Sequence, residues 1–103
     1  MRKRKEDSMT TPHEQLKRAV MILEGKGDMR DRLASAYRSE VQYIGPEGLN
    51  EEMLYILESI NDELTRVDAA GDRDAIDMSV AALTDEAVTE QAEQIRNLFE
   101  LSR

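Results

Sequence analysis

Residues 49–67 read LNEEMLYILESINDELTRV, and this stretch decides the fold class. Its apolar side chains recur every three or four residues, which is the period of an α-helix with one buried face. Asn50 is a good N-cap, and Leu49 and Leu54 occupy the two positions of a hydrophobic staple. The stretch therefore predicts an amphipathic helix over residues 51–67. Its apolar stripe consists of Leu54, Leu57, Ile60, Leu64 and Val67.

The same period recurs on the N-terminal side of this helix. Thr11-Pro12-His13-Glu14 is typical of a helix start, because it combines a capping hydroxyl with a proline at the first helical position. It predicts a helix over 12–24, which Gly25 ends. Asp28 can cap a second helix over 29–44, which ends before a Gly-Pro pair.

Two further helices are predicted on the C-terminal side. A break at 68–72 precedes a short helix over 73–82, and Thr84 can cap a last helix that ends near residue 100. The connections are short, mostly three to six residues, so successive helices are expected to pack as antiparallel neighbours. The predicted fold class is all-α, a compact bundle of four to five short antiparallel helices.

The domain organisation is simple. Residues 1–10, MRKRKEDSMT, show no periodicity and are predicted to be a disordered basic arm; Met9 remains an alternative start. Residues 11–103 are predicted to form a single helical domain. The chain has no cysteine and no apolar run of the roughly 20 residues that span a bilayer. A cytoplasmic location without membrane contact is therefore predicted.

Charge is distributed unevenly along the chain. Residues 1–48 hold ten basic and eight acidic residues, whereas residues 49–103 hold four and fourteen, and the whole chain carries a net charge of −8. The negative second half favours partners with a basic surface and disfavours nucleic acid. The partner is thus predicted to be another protein, and a homodimer remains an alternative.

The histidine and the carboxylates of the sequence form no recognisable catalytic pattern, so the chain is predicted not to be an enzyme. His13, the single histidine, is expected to be exposed beside the arm. Glu40 is the one candidate acid, and the favoured interpretation is a surface carboxylate that either extends to solvent or pairs with a nearby arginine. The aspartates at 72, 74 and 77 fail the calcium-loop pattern at three positions and are predicted to cap a helix instead. No metal and no cofactor are predicted.

The predicted function is a protein-binding accessory or regulatory module. Exposed arginines and tyrosines are the expected contact residues, and the carboxylates of the 51–67 helix are expected to form an acidic face. Two alternatives stay open: a phage or mobile-element inhibitor whose acidic surface mimics nucleic acid, and a weak DNA-binding protein that uses the first two helices and the basic arm. The predicted contact residues are Arg30, Arg38, Tyr43, Tyr55, Glu51, Glu52, Glu58, Asp62 and Glu63.

Several short stretches resemble small uncharacterised all-helical proteins of proteobacteria. The resemblance rests on Arg32-Leu33-Ala34-Ser35-Ala36-Tyr37, on Glu86-Ala87, on Ile95 and on Leu98-Phe99. It covers the second to fifth predicted helices. It implies a bacterial, cytoplasmic, helical protein, and it carries over no functional residues.

Overall fold

The computed structural model describes residues 11–103, and these form an all-α bundle, as predicted. The predicted arm at residues 1–10 lies outside the described residues. Helices α4 and α5 are separate elements, divided at Leu83 and Thr84. In chain order the elements are α1 (Pro12–Leu23), α2 (Met29–Ser39), a 3-10 turn (Val41–Tyr43), α3 (Glu51–Leu64), α4 (Ala75–Ala82) and α5 (Asp85–Leu101).

Each of the five α-helices begins at a side-chain cap. A hydroxyl, carboxylate or amide oxygen accepts a hydrogen bond from a backbone N–H of the first turn, which would otherwise lack a partner. Four of these caps were predicted at single residues, the fifth belongs to the aspartate cluster predicted to cap a helix, and all five are confirmed. The capping residues are Thr11, Asp28, Asn50, Asp74 and Thr84.

The second helix is shorter than its predicted range of 29–44. It stops at Ser39 because Glu40 leaves the helical conformation, with φ −128° and ψ −58°. The 3-10 turn that follows has about three residues per turn, so side chains three apart share one side. Val41 and Ile44 are three apart and both are buried. The tighter turn thus places both in the core before the loop at Gly45.

The third helix ends at Leu64, three residues before the predicted Val67. The Thr65 hydroxyl donates to the carbonyl oxygen of Asn61 at 2.6 Å, a local bond that favours a helix end. The backbone N–H of Val67 then donates to Oγ of the buried Ser79 on α4, at 2.8 Å. The last predicted turn is therefore replaced by a contact with the next helix.

The core is aliphatic, and α5 packs against three of the other helices: α1, α2 and α3. Tyr37 on α2 is 3% exposed, and its hydroxyl donates to Oδ1 of Asn61 on α3 at 2.6 Å. Burial and, secondly, the charge of Asp62 raise the pKa of the Tyr37 hydroxyl. The ring therefore stays neutral and joins α2 to α3. The largest fully buried apolar side chains are Leu16, Leu23, Leu33, Val41, Ile60, Leu64, Ile95 and Leu98.

Within residues 11–103, none of the helices combines the length and the apolar character that crossing a membrane requires.

One buried polar group lacks a partner. Gln91 on α5 is 7% exposed, and its Oε1 accepts no hydrogen bond from the described residues. An unsatisfied buried acceptor is destabilising, so Gln91→Met is expected to raise the free energy of unfolding by about 1 kcal/mol. Urea denaturation checks this, as a higher midpoint with an unchanged m value.

Gln94→Met is the matched control, because Gln94 is only partly buried on the same helix and should respond little. A lower midpoint for Gln91→Met would contradict the assignment, since it would mean that the Gln91 amide is satisfied in solution.

Candidate functional site

Helix α3 carries five carboxylates and no basic residue, and its outward side is strongly acidic. Tyr55 lies near its middle and is 76% exposed. The side chain of Tyr55 lines a shallow groove of about 240 Å³ with Glu58, Asp62 and their neighbours. We call this surface the acidic face of α3. It consists of Glu51, Glu52, Tyr55, Glu58, Asp62 and Glu63.

The spacing of these residues explains why they share one side. Positions three and four apart are neighbours on a helix surface, so Tyr55 follows Glu51 by one turn and precedes Glu58 by one turn. The opposite side carries the buried stripe, with Leu57 and Ile60 at its centre. Burial of the stripe therefore fixes the acidic face outward.

Among the described residues, most carboxylates of the acidic face have no cationic partner. Within residues 11–103, ion pairing on this face is confined to Glu63, whose carboxylate lies 3.9 Å from Arg66 on the same exposed surface. Pairs of this kind contribute little, on the order of 0–1 kcal/mol. The negative potential of Glu51, Glu52, Glu58 and Asp62 is therefore left largely uncompensated by the folded chain.

The predicted contact residue Arg30 lies elsewhere and is engaged inside the fold. Its guanidinium donates to the carbonyl oxygen of Val80 at 2.7 Å and to Oδ1 of Asp85 at 2.9 Å. Val80 lies in the last turn of α4 and Asp85 in the first turn of α5. Arg30 therefore links α2 to the junction of these two helices.

Arg38 is also engaged in ion pairs within the fold, at the start of α4. Its guanidinium donates to Asp74 at 3.0 Å and to Asp77 at 2.9 Å, and these bonds raise its pKa. The pKa of the Asp74 carboxyl is lowered, first by the backbone N–H of Asp77 and then by Arg38. The structure thus assigns Asp74 the capping role predicted for this aspartate cluster.

Tyr43 is exposed but is separated from Tyr55. It lines a groove of about 540 Å³ between α1 and the end of α2, beside Arg18 and Glu40. Arg18 Nε donates to Glu40 Oε2 at 3.1 Å, so of the two non-catalytic interpretations of Glu40 the pairing with an arginine is the one found. The two exposed tyrosines therefore do not form one site.

His13 is not the free surface residue that the sequence predicts. Its ring stacks on Phe99 of α5 with centroids 5.1 Å apart, and its Nδ1 lies 2.9 Å from Ser102 Oγ. The Ser102 hydroxyl is 2.7 Å from the Phe99 carbonyl oxygen, to which it donates. A hydroxyl has one hydrogen, so a Ser102 hydroxyl that donates to Phe99 accepts from His13 Nδ1–H, and this arrangement does not place His13 as its base.

Metal binding receives no support from the described residues. Within 11–103, no group of three or more acidic or histidine side chains is arranged to hold a metal ion. The acidic face of α3 is a row along a helix rather than a cage, so its geometry suits contact with an extended surface.

Comparison with known proteins yields no relative: no family model matches the chain, and neither a curated protein nor a solved structure is significantly similar to it.

The contribution of the Asp74 charge to the stability of the fold can be tested by varying the pH. A lowered pKa in the folded state means that the carboxylate stabilises the fold above its ordinary value of 3.8 and loses this effect as the pH falls. Asp74→Asn keeps a capping oxygen but loses the ion pair with Arg38. We expect a lower unfolding temperature at neutral pH, and a deficit that shrinks as the pH falls below 3.8.

Calorimetry of the two proteins across this range measures the effect. Asp72→Asn is the control, because Asp72 is an exposed neighbour outside this ion pair. A deficit that persists unchanged in acid would rule out the charge of Asp74 as its cause.

Proposed function

We propose that this protein is a non-enzymatic, cytoplasmic module of bacteria that binds a basic protein surface through the acidic face of α3. The observation that carries the proposal is Tyr55, a large ring that is 76% exposed beside Glu58 and Asp62, which pair with no cation within residues 11–103. The resemblance to proteobacterial helical proteins supports a bacterial origin. The absence of cysteine from the chain supports a reducing compartment.

The combination of a ring and carboxylates suits a protein partner. A tyrosine offers a large contact area with few rotatable bonds, and such residues are frequent among those that dominate binding energy. Carboxylates around it attract a basic surface and speed the encounter. Tyr55 would therefore provide the central contact, with Glu58 and Asp62 at its rim.

The fold also bears on the alternative of DNA binding through α1 and α2. Four arginines on these helices already serve internal contacts. Arg32, for example, donates to the carbonyl oxygens of Leu23 and Gly27 and so caps the end of α1. Since phosphate contacts need free cationic groups, we favour a protein partner over DNA. The engaged arginines are Arg18, Arg30, Arg32 and Arg38.

A nucleic-acid mimic would use the same surface for a narrower class of partner. Along α3 the carboxylates of Glu51, Glu58 and Asp62 follow one another at axial steps of about 10 Å and 6 Å, from the helical rise of 1.5 Å per residue. A row of negative charge of this length also attracts proteins that bind nucleic acid. Competition by DNA for the partner distinguishes this case.

Affinity capture with matched variants tests the proposal. Three baits are compared: the wild type, an α3 variant with Tyr55→Ala, Glu58→Gln and Asp62→Asn, and a control variant. The control variant carries Glu86→Gln and Glu90→Gln, which replace exposed carboxylates of α5. A partner retained by the wild type and the control variant should be lost by the α3 variant. With the purified partner, Tyr55→Ala alone should weaken binding at least about tenfold, or about 1.4 kcal/mol.

Salt and DNA complete this test. Binding should weaken as salt screens the carboxylates, and DNA should displace the partner if it is a nucleic-acid-binding protein. Equal retention of every partner by the wild type and the α3 variant would refute the proposal.

A further inference from the structure

Helix α4 is the shortest α-helix of the described chain, with eight residues. Isolated helices shorter than roughly 12–15 residues are marginal in water, so α4 depends on its packing against α2 and α3. Its buried side consists of Ile76, Ser79 and Val80. Residues 65–74, which precede α4, contain no helix and can span up to about 33 Å, so α4 can move while α3 stays in place.

Two arginines of α2 hold the two ends of α4. At its start, Arg38 donates to the N-cap residue Asp74 at 3.0 Å and to Asp77 at 2.9 Å. At its end, Arg30 donates to the carbonyl oxygen of Val80 at 2.7 Å. The two arginines are about 12 Å apart along α2, which equals the length of an eight-residue helix. Helix α2 therefore holds α4 at both ends, in an antiparallel orientation.

The contacts of both arginines depend on charge and are accessible to salt. The side chains of Arg30 and Arg38 are 30% and 38% exposed, and the carboxylates they contact are 41% to 99% exposed. Interactions between exposed charges are screened over about 8–10 Å at physiological salt. Helix α4 has no basic residue in its own last turn, so Arg30 supplies the cation that favours the negative end of a helix dipole. Higher ionic strength therefore weakens the hold of α2 on α4.

The remaining helices have contacts of their own. Helix α5 packs against α1, α2 and α3, and the Tyr37 hydroxyl donates to Asn61 between α2 and α3. Ile95 and Leu98 of α5 are almost inaccessible to solvent. These contacts do not depend on hydrogen bonds from α4, so the core between the other helices is retained when α4 is absent from its place.

We propose that α4 opens locally: it leaves α2 and α3 as one unit while the other four α-helices stay packed, and the contacts of Arg30 and Arg38 set how often it does so. Opening makes accessible the apolar side chains that α4 covers on α2 and α3, and salt favours it. The bundle thus contains an element that responds to ionic strength. None of the residues of the acidic face takes part, so the inference is independent of the proposed function.

One backbone group outside α4 distinguishes opening of the whole helix from fraying of its ends. The N–H of Val67 donates to Oγ of Ser79, in the middle of α4, at 2.8 Å. The N–H of Met78 donates to the carbonyl oxygen of Asp74 at 3.0 Å, within the first turn. Opening as a unit breaks both bonds together, whereas fraying spares Ser79. The two amides are therefore expected to exchange with solvent through one shared opening.

Native-state hydrogen exchange of the whole chain, followed by NMR, tests the proposal. In the wild type, the amides of Val67 and α4 should exchange faster than those of Ile95 and Leu98. They should also depend less on low concentrations of urea, because a local opening exposes less surface than global unfolding. Raising the salt concentration should accelerate the exchange of the α4 amides.

A double variant, Arg30→Gln with Arg38→Gln, tests the role of the arginines. It should accelerate exchange of the α4 amides at least about tenfold and remove most of their response to salt. Arg96→Gln is the matched control, because Arg96 is 31% exposed and pairs with Glu93 on α5 at 3.5 Å. It should leave the α4 amides at their wild-type rate, since its pair is present in the closed and the open state alike.

Two results would overturn the proposal. The first is exchange of the α4 amides at the rate and urea dependence of Ile95 and Leu98, because α4 would then open only in global unfolding. The second is equal acceleration of the α4 amides by the double variant and by Arg96→Gln, which would remove the specific role of Arg30 and Arg38. The wild-type measurements decide the first point even if the double variant does not fold.

Discussion

Burial of one stripe of α5 is the contact on which the bundle depends. Helices α1, α2 and α3 pack against α5, and α4 packs against α2 and α3. Ile95 and Leu98, near the centre of that stripe, are essentially inaccessible to solvent. Because aromatic rings are scarce in this chain, the core depends on close packing of branched aliphatic side chains, which tolerates little loss of volume. The orientation of α3, and with it the acidic face, follows from this packing.

The local features of the fold were predictable because they are encoded by neighbouring residues. The caps at Thr11 and Asn50 depend on a side chain and an N–H three residues later, and the helix period is visible within each segment. The outward position of Tyr55 follows from the same period. The predicted end of α3 was wrong for a tertiary reason: the helix ends early, and Ser79 Oγ on α4 accepts a hydrogen bond from the backbone N–H of Val67.

The positions of the arginines could not be predicted for the same reason. Arg30 and Arg38 look like free surface cations in the sequence, yet their partners lie 50 to 55 and 36 to 39 residues away. The His13–Ser102 contact spans 89 residues, so no sequence window contains both groups. A signal was nevertheless present at Arg38, because a flexible cation and an aspartate-rich helix start are complementary in charge. Their pairing follows from topology, which brings α2 beside α4.

The contact of His13 with Phe99 and Ser102 also brings the two ends of the folded part together. The first helix of the bundle therefore packs against the last one, so the packing of α1 is complete only when α5 is in place. Contacts between the first and the last helix raise the mean sequence separation of contacting residues. This is expected to slow folding relative to a bundle of consecutive helical hairpins. The proximity of these two ends also favours circular permutation, because a short linker can join residues 11 and 103 while a loop is opened elsewhere.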